Sequence, residues 1–362
     1  MIQGLQEVTN YMTSKREMTG KPKVIKEVNM GLLKDALSQM GQATRVELSK
    51  RTGISQPTVN VLMKEMVENR EVLCLGNADS TGGRKAVVYT LNRKRYHIVS
   101  VIVRKDFFEY GVFDLKLQME TKGQIPREEK VSYTKQLVCI LQDTIHKTAD
   151  VQAVSVGVPG AVSREGKVFA IPQIPEWEQF QLQSCLEKEC GLQVKVMNDI
   201  NAIAIGYLTS EMLSVTVPQE NNSTDPVRNL AYLHVEGTGL GAGIIIDGKL
   251  YMGCSSFAGE VGYMKLGDTS PEQQLTGADD GKRAELLSKV LVNMICVLNP
   301  EKVVLGGEIT APLVKEIQQR CLACLPEGAA PGFSMISDSG EKYFLGLGQA
   351  GLDLLDHQVR LH

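Results

Sequence analysis

Apolar residues recur at helical spacing in the first quarter of the chain and at strand-like spacing after it. Residues 1–28 are polar and lysine-rich with few apolar anchors, which predicts a loosely ordered start. From Asn29, the pattern Leu32, Leu33, Ala36, Leu37 predicts a short amphipathic helix closed by Gly41. Thr44 and Glu47 stand three apart as a capping box, opening a second helix over 45–51 with Leu48 facing inward. Gly53 makes a tight turn. Ser55 caps a third helix that tolerates Pro57 in its first turn and buries Val59, Leu62, Met63, Met66 and Val67. Two short strands, 71–75 and 87–91, then flank a glycine-rich basic loop over 76–85. Helix, short helix, turn and helix followed by a hairpin is the pattern of a winged helix-turn-helix.

Beyond the basic linker 92–95 the period changes. Strand-like segments at 96–103, 107–114 and 119–125 lead into an amphipathic helix, 132–147, and a buried strand, 151–158. A helix near 178–190, a strand at 194–197 and a helix from Ile200 follow, and 217–229 is a polar, turn-rich loop. After the apolar run 230–235 come four glycines at alternate positions, Gly237, Gly239, Gly241 and Gly243, then three isoleucines and the hairpin signal Asp247-Gly248. Glycine at that density permits positive φ and close approach of backbone N–H groups to a ligand; the alternative is a purely structural hairpin. Helices near 281–298 and 311–325 enclose a strand, 302–305. A final apolar helix, 345–355, is expected to pack back on the first lobe.

Charge divides the chain. Residues 1–95 hold 16 Lys and Arg against 9 Asp and Glu, and the remainder 23 against 33. A basic front on an acidic body points to an anionic partner for the front alone. The exposed face of the third helix offers Ser55, Gln56, Thr58 and Asn60 to base edges and Lys64 to phosphate, while Gly83, Arg84 and Lys85 of the wing suit a minor groove or phosphates. A three-helix module for protein contacts is the competing use. The chain shows no 18-residue apolar run and no signal peptide, and its 8 scattered cysteines read as reduced thiols, so a cytoplasmic protein is expected. Cys321 and Cys324 form a lone C-x-x-C without a second pair, which reads as packing and not as a metal site.

Four stretches stand in a particular order: 156–162 (Val-Gly-Val-Pro-Gly-Ala-Val), 198–202 (Asn-Asp-Ile-Asn-Ala), the glycine hairpin ending in Ala258-Gly259-Glu260-Val261-Gly262, and 303–307 (Val-Val-Leu-Gly-Gly). Together they resemble the ROK family of sugar kinases and sugar-responsive repressors, from about Tyr96 to the C-terminus. The N-terminal module, with Ser80 to Arg84, is similar to that of the family's repressors. The resemblance implies an α/β fold: a winged helix-turn-helix (1–91), then a two-lobed actin- and hexokinase-like (ribonuclease H-like) ROK domain. Its first lobe covers 92–205, completed by a helix near 343–362, and its second 206–342.

For the site, the resemblance makes Asp199 the counterpart of the kinases' general base, with Asn198 beside it. Glu260 matches the glutamate that accepts bonds from sugar hydroxyls, and Pro159 and Gly160 the loop over the sugar. A plain helix N-cap is the competing role for Asp199. Three departures matter. The phosphate-gripping Asp-x-Gly-Gly-Thr is replaced by 100–107, Ser-Val-Ile-Val-Arg-Lys-Asp-Phe, which speaks against kinase activity. The family's sugar- and zinc-binding histidine is Tyr263, which can still bond or stack on a sugar. The zinc cysteines are missing from 265–280, and the glutamate expected after them has no clear counterpart. No metal and no cofactor is therefore expected. The reading is a sugar-responsive repressor acting on operator DNA as a homodimer or homotetramer, without a membrane. Its alternatives are a sugar kinase with an added DNA-binding domain, and a regulator controlled by a protein partner.

Overall fold

The computed structural model describes residues 22–77, 86–215 and 227–361, which fall into two compact units. One runs up to His97 and takes in Asp114–Lys116 and the end of the chain from Asp353; the other comprises Ile98–Phe113 and Leu117–Leu352.

In the first unit, α1 (Pro22–Met40) is followed by β1 (Ala43–Thr44), α2 (Arg45–Thr52), α3 (Gln56–Glu68), β2 (Val72–Asn77) and β3 (Val87–Leu91). Helix α1 begins at Pro22, before the predicted Asn29. Ile25 and Val28 in its first turns are 49% and 54% exposed, so these turns carry no buried stripe for a sequence pattern to reveal. The capping box forms as expected: Thr44 Oγ1 accepts from Glu47 N, and Glu47 accepts from Thr44 N. Gly53 closes α2 at φ 73°, where a side chain would be strained. Leu33, Leu37, Leu48, Val59, Met63 and Met66 form the core. The sheet order β1-β3-β2 is that of a winged helix. The tip of its β2–β3 loop, with Gly83, Arg84 and Lys85, lies outside the described residues.

The second unit repeats one topology twice. Its first lobe holds β4 (His97–Val103), β5 (Phe107–Phe113), β6 (Met119–Pro126), α4 (Tyr133–Lys147), β7 (Val151–Val158), a small ribbon of β8 (Ala161–Val162) and β9 (Val168–Phe169), α5 (Leu182–Cys190) and β10 (Gln193–Asn198). Helix α6 (Asp199–Val215) leads out of it. The second lobe holds β11 (Leu230–Glu236), β12 (Gly239–Ile246), β13 (Lys249–Leu250), α7 (Pro271–Leu275), α8 (Asp280–Leu298), β14 (Lys302–Gly307), α9 (Ala311–Cys324) and β15 (Gly332–Met335), and α10 (Ser339–Leu361) ends the chain.

Spatial order is β6-β5-β4-β7-β10 in one sheet and β13-β12-β11-β14-β15 in the other. Each is an antiparallel meander followed by two strands added through helical crossovers, which is the duplicated ribonuclease H-like lobe of the actin fold. Central strands are apolar throughout: all seven residues of β4 are buried. Edge strand β6 is mostly exposed and carries Glu120 and Lys122, which discourage edge pairing. Trp177 is wholly buried in the first lobe's core.

Two glycines let helices touch. Gly206 of α6 and Gly346 of α10 bring the two backbones together: a Cβ at Gly206 would lie 1.7 Å from Lys342 O, and one at Gly346 would lie 1.8 Å from Ala202 O. Helix α10 begins at Ser339, ahead of the expected Leu345, and packs on the first lobe as anticipated, with Phe344 6.4 Å from Phe113. The turn Asp247-Gly248 has φ of 52° and 75° and joins β12 to β13, the geometry its sequence predicts.

Candidate functional site

The site begins at the end of β10. Asn198 Oδ1 accepts from Asn201 N at 3.1 Å and so caps α6. The capping role considered for Asp199 therefore falls to its neighbour. Asn198 Nδ2 donates to Gly160 O at 3.0 Å and to Asp199 Oδ1 at 2.9 Å, and Ile200 N donates to the same Oδ1 at 2.8 Å. One carboxylate oxygen is thus fixed by protein donors, which leaves Oδ2 for a ligand. Ile171 packs against Gly160 so closely that a Cβ there would lie 2.8 Å from it, so the position requires glycine. The hydrogen bonds join Gly160, Asn198 and Asp199, and Pro159 precedes Gly160 in the chain.

Asp199 is half-buried. Burial raises its pKa; His234, the Ile200 N–H and Arg104 oppose that shift. His234, on β11, is held down mainly by burial, against the pull of Asp199 and Glu236. Its Nδ1 is 2.7 Å from Tyr232 Oη, and its Nε2 is 3.8 Å from Glu236 Oε2. Arg104, in the β4–β5 turn, lies 5.2 Å above the ring of Tyr343. The Tyr343 hydroxyl is fully buried and has no hydrogen-bond partner among the described residues. Arg104, His234, Glu236 and Tyr343 were not singled out as site residues from sequence, because only folding brings them to Asp199.

Glu260 and Tyr263 share a short 3-10 turn, with Tyr263 N donating to Glu260 O at 3.2 Å. Burial and then the nearby Glu272 raise the Glu260 pKa. Glu272 opens α7 and accepts from Leu240 N at 3.1 Å. Tyr263 is 66% exposed and leans on Phe257, ring centres 5.5 Å apart. Glu260 also edges a cavity of about 280 Å³ lined mainly by apolar residues, including Phe257, Met264, Met294 and Val297. Among the described residues no hydrogen bond joins Glu260 or Tyr263 to Asp199.

The alternate glycines serve packing more than ligand approach. Gly239, Gly241 and Gly243 are extended residues of β12, and a Cβ at the last two would strike Ile200 and Ala204 of α6 at 2.3 and 2.5 Å. Gly237 alone of the four has positive φ, 58°, and its N–H is taken by Glu308 Oε2 at 2.8 Å. At this turn an internal carboxylate, that of Glu308, takes the Gly237 N–H. Among the described residues no cluster of three or more His, Cys, Asp or Glu is arranged to hold a metal. Cys321 is buried, its thiol pushed up to about 12 by burial and by Cys324.

On the first unit, Gln56, Asn60 and Lys64 of α3 are exposed, and so is Ser55, whose Oγ receives Thr58 N at 3.4 Å and pairs with Thr58 Oγ1 at 2.8 Å. Asn60 Oδ1 accepts from Arg45 at 3.4 Å, and Arg45 stacks 5.0 Å over Tyr89. Lys64 is 3.8 Å from Glu68. Val61 is 65% exposed on this same helix.

A winged helix and a duplicated ribonuclease H-like unit with Asn198 and Asp199 at the end of β10 define the class. Residues 101–278 match the profile of the ROK family. The chain is similar to the xylose repressor of Caldicellulosiruptor bescii, 27% identical over 260 residues, which is 68% of this chain and 61% of that protein. The match thus spans less than two thirds of that repressor. In fold it is similar to a ROK family transcriptional regulator described as a homologue of the E. coli MLC protein, with TM-score 0.70, 18% identity and coverage of 92% of this chain and 99% of that one. It is also similar to the ROK hexokinase of Thermus thermophilus, with TM-score 0.59, 19% identity and coverage of 72% and 99%. Among the described residues no helix is long and apolar enough to cross a membrane.

Proposed function

We propose that the protein is a transcription regulator, a repressor of carbohydrate-use genes, whose winged helix binds operator DNA and whose ROK domain senses a sugar. The observation that carries this reading is the state of the two turns that correspond to phosphate grips in the fold. The β4–β5 turn has Arg104, Lys105 and Asp106 in place of glycines, and the β11–β12 turn has its Gly237 N–H bound by Glu308. Asp199 nonetheless keeps one carboxylate oxygen unengaged. The sugar half of a kinase site is retained and the nucleotide half is not.

In this reading Asp199, Asn198, Gly160, Pro159 and Glu260 bind hydroxyls, with Glu272 beside Glu260, and Tyr263 borders them. Gln56, Asn60 and Val61 face bases, and Lys64 and the wing face phosphates. A homodimer presents two reading heads to a pseudo-palindrome, and sugar binding shifts the population toward a form in which they no longer fit it. Asp199→Asn tests the assignment. It should keep operator binding and lose the sugar response, because it replaces a charged acceptor with an amide of the same shape. A mutant that still responds to sugar would contradict the role given to Asp199.

A further inference from the structure

A polar contact inside the winged helix bears on what α3 reads. Gln56, Asn60 and Lys64 are spaced four apart on α3 and share one exposed face. Asn60 is tied to a different element: Arg45, the first residue of α2, donates from Nη1 to Asn60 Oδ1 at 3.4 Å. Arg45 is itself held in place. Its guanidinium lies 5.0 Å over the ring of Tyr89, a residue of β3 that is only 5% exposed. Tyr89 pairs in turn with Ala43 of β1, two residues before Arg45, so sheet and α2 fix both ends of the contact. Arg45 Nε is buried and has no hydrogen-bond partner among the described residues, which leaves the aromatic face as its main support.

A guanidinium carries N–H donors and no acceptor, so an amide that faces it must present its oxygen. Arg45 therefore sets the orientation of the Asn60 amide. Nδ2 is turned away from it and has no partner among the described residues. We infer that Arg45 is a positioning residue that commits Asn60 to reading guanine. This rests on the DNA-reading function proposed above and assigns a base to one of its contacts. An asparagine with both ends open reads adenine, donating to N7 and accepting from the N6 amino group. With Oδ1 engaged and a cation beside it, that amino group would meet donors and lose its partner. Guanine instead offers N7 and O6, two adjacent acceptors, to the Nδ2 group. Thymine offers one acceptor beside a methyl group, and cytosine only a donor.

The test is selection of bound duplexes from a random-sequence pool by the full chain, by Asn60→Ala and by Arg45→Met. The position in each half-site whose preference Asn60→Ala relaxes is the one that Asn60 reads. The parent should prefer G·C over A·T there by about two- to tenfold, the worth of one hydrogen bond. Arg45→Met keeps a long apolar stem on Tyr89 and removes the donors, so it should move that position toward A·T. A merely structural role for Arg45 would weaken binding to all sequences and leave the base preference in place. Asn60 is exposed, so the comparison of its variant with the parent remains decisive even where Arg45→Met does not fold. An A·T pair at that position in the parent, a preference that a folded Arg45→Met leaves unchanged, or no position relaxed by Asn60→Ala would overturn this inference and leave the DNA-reading function standing. No enriched sequence with the parent would overturn both.

Discussion

Replacing Gly206 by alanine probes the crossing of α6 and α10. The new Cβ would lie 1.7 Å from Lys342 O, whereas ordinary contact begins near 3.4 Å, so the helices must part by 3.4 − 1.7, about 1.7 Å. The obstacle is helix backbone and cannot rotate away. Overpacking of this kind costs about 1–3 kcal/mol and sometimes more, and the displacement here belongs at the upper end. Alanine recovers about 0.5–1 kcal/mol through helix propensity, which leaves a net loss of about 2 kcal/mol. Gly281→Ala, in the first turn of α8, is the control, since the nearest atom to its Cβ is 3.5 Å away; it should be neutral or slightly stabilising. The single tryptophan, Trp177, is buried in the first lobe, so its fluorescence during urea unfolding reports on the affected unit. A Gly206→Ala protein as stable as the Gly281→Ala control would refute the close crossing.

Further outcomes follow from individual residues. Burial and Glu272 raise the Glu260 pKa, so the native state favours its protonated form; that stabilisation is complete below the ordinary value of 4.5 and is lost as pH rises through the raised one. Glu260→Gln should therefore be more stable than the parent at pH 7–8, with the gap closing toward pH 4, as thermal unfolding across pH would show. On α3, Lys64→Ala should weaken binding to all DNA alike and lower its salt dependence by about one counterion, while Gln56→Ala should cost about 1–3 kcal/mol at one base position. Anisotropy titrations on matched and mismatched DNA at two salt concentrations distinguish the two effects.

Local chemistry was legible. The Thr44–Glu47 box, the Ser55 cap and the Asp247-Gly248 turn depend on residues a few positions apart, and each forms as its sequence suggests. Asn198 and Asp199 were pointed to by their match to the family's Asn-Asp-x-Asn stretch, and which of them caps α6 needed coordinates. Contacts between distant segments were not legible. Glu308 meets Gly237 across 71 positions, Glu272 meets Leu240 across 32, and Arg104 reaches Tyr343 from the other end of the unit. The glycines of β12 misled for a related reason. Their missing side chains make room for Ile200 and Ala204, a demand set by a helix that the local sequence does not mention.

The central claim is that this chain reads DNA under the control of a sugar. Selection of bound duplexes from a random-sequence pool by the full protein, repeated with and without the sugar panel, tests it most directly. The account predicts enrichment of a pseudo-palindromic sequence and its release, by tenfold or more in apparent affinity, when one of the sugars is present. Recovery of no preferred sequence at moderate salt, or enrichment that no sugar alters while ATP is turned over, would contradict it.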